Sequence, residues 1–301
     1  MKKQATQAIA VMVVFVLMTI SNGCPTGVGS DNGNDGTADM GGVTYTVTYH
    51  ANGATEGQVP TDPVHYDPGE QVTVAGQGEL VRNQHGFAWL FKGWNTESDG
   101  TGTSYPELSC MTMPSENVIL YAAWTPIGAT GPAGGIVFYD KEEYTGGWRY
   151  LETAPASTEW RNIEWGDFGT EIGGDAQLTD IGDGRAATDA IVDHMTGKGI
   201  TNTAAQLCDE LEHEHEGTTY VDWFLPSHNE LHAVWNNIVD DGEGNNSGVG
   251  GFDASSYWSS SEVSAETFAK DYAWRQHFFH GGRATSKKDI ASFSVRAARA
   301  F

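Results

Sequence analysis

Glycine is unusually frequent in this chain and is spread along its length. It occupies 38 of 301 positions, whereas a share of roughly 7% is usual. Because glycine is costly inside helices and favoured in tight turns, this frequency predicts many turns and short strands and argues against an all-helical bundle. Hydrophobic residues make up 39% of the chain and aromatic residues 11%, which is enough apolar surface for folded cores.

The first 23 residues have the order of a bacterial export signal. Lys2 and Lys3 precede an apolar run at residues 8–20, and small or polar residues follow it. This run is shorter than the roughly 20 residues that a helix needs to span a bilayer. Residues 1–23 are therefore predicted to be a signal peptide rather than a transmembrane anchor.

Small residues stand before Cys24 in a pattern that resembles a lipoprotein signal. The resemblance implies that Cys24 becomes the lipidated first residue of the mature protein, which would meet the membrane only through this lipid anchor. A plain secretory signal is the alternative. Residues 24–42 are rich in Gly, Asp and Asn and are predicted to be a flexible tether. Cys110 and Cys208 fall in different predicted domains and are predicted to be buried free thiols.

Residues 43–126 show the patterns of a small, mostly β domain. Val43, Tyr45, Val47 and Tyr49 alternate with polar residues, which places them on one face of a strand. Three further strands are expected between turn sequences. They lie at residues 71–74, 87–94 and 117–124.

Several spaced motifs in this segment resemble a Listeria–Bacteroides repeat of the internalin B-repeat type. They are FKGWNT at 91–96, DGTGT at 99–103, TMP at 112–114 and NVILYAAW at 117–124. The resemblance implies a β-grasp-like surface module that serves as a spacer in exported bacterial proteins. Trp94 and Trp124 are predicted core residues, and no ligand site is assigned to this module.

Residues 127–301 are predicted to form an α+β domain, because strands, then helices, then strands follow one another. Ser227 and Glu230 form a capping box ahead of an apolar stripe, which predicts a helix at 227–239. Apolar residues at helical spacing predict two earlier helices, around 187–195 and 204–211. The expected strands lie at residues 135–140, 148–152, 256–262, 271–279 and 290–301.

The motifs of this second segment resemble the C-terminal domain family of Lcl, a collagen-like bacterial adhesin. They are GDGRAAT at 182–188, AAQLC at 204–208, DWFLPS at 222–227, YWSSSE at 257–262 and VRAARAF at 295–301. The resemblance implies a C-type-lectin-like fold and a role in surface binding or adhesion. Together with the first module, the fold class is α+β: a small β-grasp-like module followed by a C-type-lectin-like domain.

The chain is acidic, with a formal net charge of −24, which argues against binding nucleic acid or an anionic membrane. Residues 270–301 are the exception, since seven basic residues there outnumber two acidic ones. We therefore expect a cationic island that attracts an anionic ligand over a short, salt-sensitive range. Arg296 and Arg299 are predicted to be structural members of this island.

The candidate ligand-binding residues are Arg275, His277, Phe279, His280 and Arg283. Alternation along the strand at 271–279 predicts that Trp274 and Phe278 point inward. The first three candidates then point outward, and the last two follow in the loop. An exposed ring beside guanidinium groups can stack on a sugar while the charges pair with its acidic substituents. The alternative is that these cations pair with neighbouring carboxylates.

No sequence pattern assembles a catalytic site, a cofactor site or a known metal motif. His213 and His215 alternate with glutamates, without the i, i+4 spacing of a metalloprotease helix, and are interpreted as a solvated helix end. The leading hypothesis is a cell-envelope or outer-surface binding protein that recognises an extracellular glycan or protein and uses no cofactor. A purely structural envelope protein is the alternative, and a metal-dependent hydrolase at His213 and His215 ranks last. The oligomeric state stays open.

Overall fold

The structure is a computed structural model that describes residue 24, residues 42–264 and residues 270–301. The predicted signal peptide and most of the predicted tether lie outside these residues. Within the described part of the chain, no helix is both long enough and apolar enough to cross a membrane.

The first folded unit, residues 42–126, consists of strands and turns without a helix. Its strands are β1 (Val47–His50), β2 (Gln71–Thr73), β3 (Arg82–Gln84), β4 (Phe87–Asn95), β5 (Ser104–Tyr105), β6 (Cys110–Thr112) and β7 (Val118–Thr125). β1 runs parallel to β7, which pairs antiparallel with β4, and β4 also pairs with β3 and β5. β2 and β6 form a separate antiparallel pair.

The period-two pattern in this unit is confirmed where the chain is paired. In β1, Val47 and Tyr49 are buried and the two residues between and after them are exposed, although the strand begins at residue 47 rather than 43. The three other predicted strands correspond to β2, β4 and β7, each to within one residue at either end. Trp94 is fully buried, as predicted, and donates a hydrogen bond from Nε1 to the Ala75 carbonyl at 2.8 Å.

The second unit, residues 127–301, is an α+β domain as predicted. Its described helices are α1 (Gly184–Lys198), α2 (Ala204–Asp209) and α3 (His228–Val234). Its described strands are β8 (Ile136–Thr145), β9 (Trp148–Thr153), β10 (Trp160–Ile163), β11 (His213–His215), β12 (Thr218–Tyr220), β13 (Ser256–Glu262), β14 (Tyr272–His277), β15 (Arg283–Lys287), β16 (Phe293–Val295) and β17 (Ala298–Ala300).

The largest sheet of this domain is covered on both faces. Its strand order is β10–β16–β13–β14–β15, and a second sheet has the order β17–β9–β8. Trp258 and Tyr257 are neighbours in β13 and therefore point to opposite faces. Trp258 packs into a core with Ile191 of α1, whereas Tyr257 packs into a second core with Leu231 of α3. The helices thus flank the sheet from both sides.

The capping box before α3 is confirmed in full. The Ser227 hydroxyl accepts a hydrogen bond from the Glu230 backbone N–H at 3.2 Å, and the Glu230 carboxylate accepts one from the Ser227 N–H at 2.7 Å. The α-helix ends at Val234 and continues as a π-helical turn over Trp235–Val239. The predicted span of 227–239 is correct, but its last part has the i to i+5 hydrogen bonds of a π-helix rather than the i to i+4 bonds of an α-helix.

The predicted helix end around His213 is wrong. His213 and His215 belong to β11, which pairs antiparallel with β12. Glu216 and Gly217 between the strands both have positive φ, 49° and 79°, as a tight hairpin turn requires. The glycine and this pairing outweigh the helix preference of the preceding glutamates.

The predictions for two cysteines are also wrong. Cys110 is exposed rather than buried, and it forms a disulfide with Cys24 across 86 residues. One sulfur atom cannot hold both a disulfide and a lipid thioether, so the predicted lipidation of Cys24 is incompatible with this structure. Cys208 is the free, buried cysteine that was expected.

The two folded units touch through an aromatic cluster. Phe87 of β4 lies 5.4 Å from Tyr150 of β9 and 5.8 Å from Phe301, measured between ring centroids. Ala129 and Val137 complete this cluster. The first folded unit therefore packs against the second unit, in addition to being joined to it by the chain.

Candidate ligand-binding surface

The predicted ligand-binding residues all lie on or beside the hairpin of β14 and β15. The turn between the strands is closed by the His277 N–H, which donates to the Gly282 carbonyl at 2.8 Å. Gly281 has φ of 67°, and a side chain there would place its Cβ 2.4 Å from Nε1 of Trp235. Only glycine fits this position, so packing against Trp235 of the π-helical turn that follows α3 fixes the shape of the hairpin turn.

The two candidate arginines lie on opposite faces of this hairpin. Arg275 pairs in register with Ala284, and Arg283 pairs with Gln276. Residues directly opposite one another on antiparallel strands share a face, and successive residues alternate. Arg283 therefore lies on the face of Gln276 and Trp274, and Arg275 on the other. The expected single rim of two arginines is not formed.

Arg275 is partly buried rather than outward as predicted. Its Nε donates to the Ser286 hydroxyl at 2.7 Å, and its Nη1 donates to the Ser256 hydroxyl at 2.6 Å. Its guanidinium also lies 5.0 Å from the ring centre of Phe293. Burial lowers the pKa of Arg275. These contacts hold the charge within the sheet.

The tip of the hairpin is aromatic. His277 and His280 stack at 4.1 Å between ring centroids with an interplanar angle of 13°. Phe279 stands beside them, 56% exposed. Burial, His280 and Arg275 lower the pKa of His277, so its imidazole is neutral at pH 7. The tip offers the exposed ring of Phe279 and two imidazole rings with hydrogen-bonding nitrogens.

Arg283 lies beside a group of α3 residues that the sequence prediction missed. Its Nη1 donates to the Asn229 side-chain oxygen at 3.3 Å. His228 stacks on Trp274 at 4.3 Å between centroids, so Trp274 packs against α3 but is half-buried rather than part of the core. Burial, with the positive charge of Arg283 and the neighbouring His232, lowers the pKa of His228 to about 4. The signal was present in the i, i+4 spacing of these two histidines on a well-capped helix.

Three of the seven basic residues of the predicted cationic island form ion pairs inside the protein. Lys288, Arg296 and Arg299 are buried and pair with Glu262, Glu159 and Glu152 respectively. The structural role predicted for the two arginines is confirmed, and Lys288 shares it. The basic residues of the tail that stay exposed are Lys270, Arg283 and Lys287. Fewer positive charges are therefore exposed around the hairpin than the seven basic residues of the tail would suggest.

His213 and His215 lie on one face of β11, with Glu214 between them on the other. Among residues 24, 42–264 and 270–301, no group of three or more His, Cys, Asp or Glu side chains is arranged to hold a metal ion.

Comparison with known proteins identifies part of the chain. Residues 45–123 match the Listeria-Bacteroides repeat domain family, which confirms the resemblance noted for this module. Two proteins of Evansella cellulosilytica are similar over short segments. One, provisionally named a Gly-rich membrane protein, is 36% identical over 27% of this chain and 9% of its own length. The other, provisionally named a membrane protein, is 42% identical over 27% of this chain and 11% of its own length.

A fimbrial protein from Bacteroides ovatus is a distant structural neighbour. It aligns over 86% of this chain and 69% of its own, with a TM-score of 0.40 and 10% sequence identity. A likeness at this level does not establish a shared fold, and the chain spans only about a tenth of the length of the two sequence relatives.

Proposed function

We propose that this protein is exported to the bacterial cell surface, where its second unit is a binding head and its repeat unit a spacer. The observation that carries the proposal is the hairpin tip, where Phe279 is 56% exposed next to a stacked pair of imidazoles. Large exposed rings beside polar groups are typical of recognition surfaces. The resemblance of the sequence motifs at 182–301 to the Lcl C-terminal domain family, which implies a C-type-lectin-like fold, agrees with this role.

The ligand that fits the tip best is a glycan with an acidic substituent. A sugar ring can stack on Phe279, the imidazoles can form hydrogen bonds with hydroxyl groups, and Arg283 can pair with an acidic group. One exposed guanidinium gives a weaker dependence on salt than the seven basic residues of the tail would suggest.

The disulfide supports export. Disulfides form and persist outside the cytoplasm, and Cys24 follows the predicted signal peptide directly. The packing of Phe87 against Tyr150 and Phe301 supports the spacer role, because it holds the head on the repeat unit rather than on a loose linker.

A glycan array probed with the purified protein tests the proposal. We expect binding to one or more sulfated or uronic glycans, lost in F279A and weakened at least about fivefold in R283A. K92A, which removes an exposed charge from the repeat unit, is the matched control and should bind as the parent does. A blank array, or binding that F279A leaves unchanged, would show that the tip is not a glycan site.

A further inference from the structure

The second unit contains a cleft of about 420 Å³ on a different side of α3 from the hairpin. The turn between β8 and β9 and the start of α1 both line it. Its polar and aromatic lining comes from Trp148, Arg185, Asp189, Asp222, Phe224 and Glu230. The volume is in the range of sites for small ligands, roughly 300–1,000 Å³.

The aromatic wall of the cleft is held in position before any ligand arrives. The Lys141 ammonium lies 3.7 Å from the ring centre of Trp148. At the edge of the same indole, a Cβ on Gly182 would come within 3.1 Å of Cζ2 of Trp148, and Gly182 has φ of 99°. The edge of the indole therefore packs close to the Gly182 backbone, where a larger residue would push it aside.

The polar side chains of the cleft are also held in position, by hydrogen bonds within the protein. Arg185 donates to Asp189, to Asp209 and to the Trp223 carbonyl. Asp222 accepts two hydrogen bonds from Arg299, at 2.8 and 2.9 Å. The side chains of Asp189 and Asp222 are nevertheless 54% and 50% exposed. Each carboxylate has further lone pairs available, and Arg185 has an N–H left on Nη1.

The charges around the cleft determine which ligand it accepts. Arg185 is shared by Asp189 and Asp209, and Arg299 is shared by Asp222 and Glu152. Carboxylates thus outnumber guanidinium groups, so an acidic ligand is repelled. A neutral ligand rich in hydroxyl groups can donate to the exposed carboxylates, accept from Arg185 and lay its apolar face on Trp148.

We propose that this cleft binds an uncharged sugar, at a site separate from the hairpin tip. The two sites lie on different sides of α3: Glu230 lines the cleft, whereas His228 stacks on Trp274 of β14. The proposal goes beyond the function assigned to the tip and does not require it.

Isothermal titration of the full chain with a panel of uncharged trisaccharides, namely maltotriose, cellotriose, chitotriose and mannotriose, tests the proposal. Trigalacturonate is the acidic comparison. We expect saturable binding of at least one neutral trisaccharide. Because the hairpin tip is itself proposed to bind uronic glycans, trigalacturonate is titrated into F279A, where we expect no binding at the same concentration. In W148A the dissociation constant should rise at least about tenfold. A186W should block binding, because Ala186 lines the cleft from α1 and tryptophan is tolerated there by a helix.

F279A is the control that separates the two sites, since it should leave binding in the cleft unchanged. A186W keeps every polar contact described above, so a thermal melt close to that of the parent shows that it is folded. The cleft proposal would be overturned if the panel gave no binding, if F279A bound trigalacturonate as well as it bound the neutral sugars, or if folded A186W still bound the neutral sugars. Loss of glycan-array binding in F279A with retained trisaccharide binding would support both sites independently.

Discussion

Glu230 couples the stability of the second unit to pH, and replacing it by glutamine should remove that coupling. Its carboxylate is buried and accepts hydrogen bonds from the backbone N–H groups of Gly182 at 2.8 Å and Ser227 at 2.7 Å. Burial outweighs these donors and raises the pKa of Glu230 to about 7 from a usual value of 4.5. A carboxyl group in this environment prefers to be protonated.

The sign and size of the effect follow from this shift. Because the pKa is higher in the folded state, the contribution of Glu230 to stability is fully present below pH 4.5 and is lost as pH rises through about 7. At about 1.4 kcal/mol per unit, the loss is about 3 kcal/mol between pH 4 and 8. Glutamine resembles the protonated carboxyl group and does not titrate, so E230Q should not show this loss.

Urea unfolding of the parent and E230Q, followed by tryptophan fluorescence at several pH values from 4 to 8, measures the effect. We expect E230Q to gain about 3 kcal/mol relative to the parent across this range. E116Q, which changes an exposed glutamate in the repeat unit, is the matched control. A difference between parent and E230Q that stays constant with pH, or that grows with the opposite sign, would refute the reasoning.

His228, two residues earlier, should act in the opposite direction. Its lowered pKa means that its contribution is present above its usual value of 6.5 and is lost as pH falls towards about 4. In the parent the two effects oppose each other between pH 4.5 and 6.5. The free energy of unfolding of H228Q should therefore lie furthest below that of the parent at neutral pH and should approach it as pH falls. This pH dependence is opposite in sign to that expected for E230Q.

Two further predictions concern the disulfide and a buried ion pair. When the mature protein is denatured without reduction, we expect one reactive thiol, from Cys208, and a mass without lipid. C110S should show two reactive thiols. If Cys24 were lipidated instead, the parent would show two reactive thiols and a larger mass. Replacing Lys288, whose side chain is fully buried against Glu262, by methionine should destabilise the second unit by about 3–5 kcal/mol in urea unfolding, because it leaves a buried carboxylate unpaired. The double variant K288M/E262Q should recover part of that loss, and a single variant as stable as the parent would contradict the buried pair.

The elements that the sequence predicted well are those specified by neighbouring residues. The capping box of Ser227 and Glu230 sets the start of α3 through contacts three residues apart, and the alternation of Val47 and Tyr49 shows which face of β1 is buried. The turn of Glu216 and Gly217 was equally local, but the helical appearance of the preceding segment masked it. Local signals specify these elements because their partners are close in the chain.

The parts of the candidate site that were predicted poorly depend on distant partners. Alternation along the predicted strand gave the correct inward position for Phe278 and placed Trp274 on the face of α3, where it is half-buried. It also assumed that the opposite face met solvent. That face instead packs near Phe293 and holds Arg275 with two serines. Likewise, the disulfide of Cys110 depends on a residue 86 positions away. No spacing rule within one segment reveals such contacts.

The buried ion pairs explain why the charge of the tail misled the prediction of its surface. Glu262 accepts hydrogen bonds from the backbone N–H groups of Ile172 and Gly173, at 3.0 and 2.8 Å, and pairs with Lys288. Glu152 likewise accepts from the Ala133 N–H and pairs with Arg299.

Each buried carboxylate thus fixes a loop on one side and meets a cation from the tail on the other, because an unpaired buried charge would be far more costly. Lys288 and Arg299 are engaged in holding these loops, whereas Lys270, Arg283 and Lys287 of the tail stay exposed. Under the two proposals above, recognition by the second unit would depend on the rings and the exposed guanidinium at the hairpin tip and on the aromatic cleft beside α1.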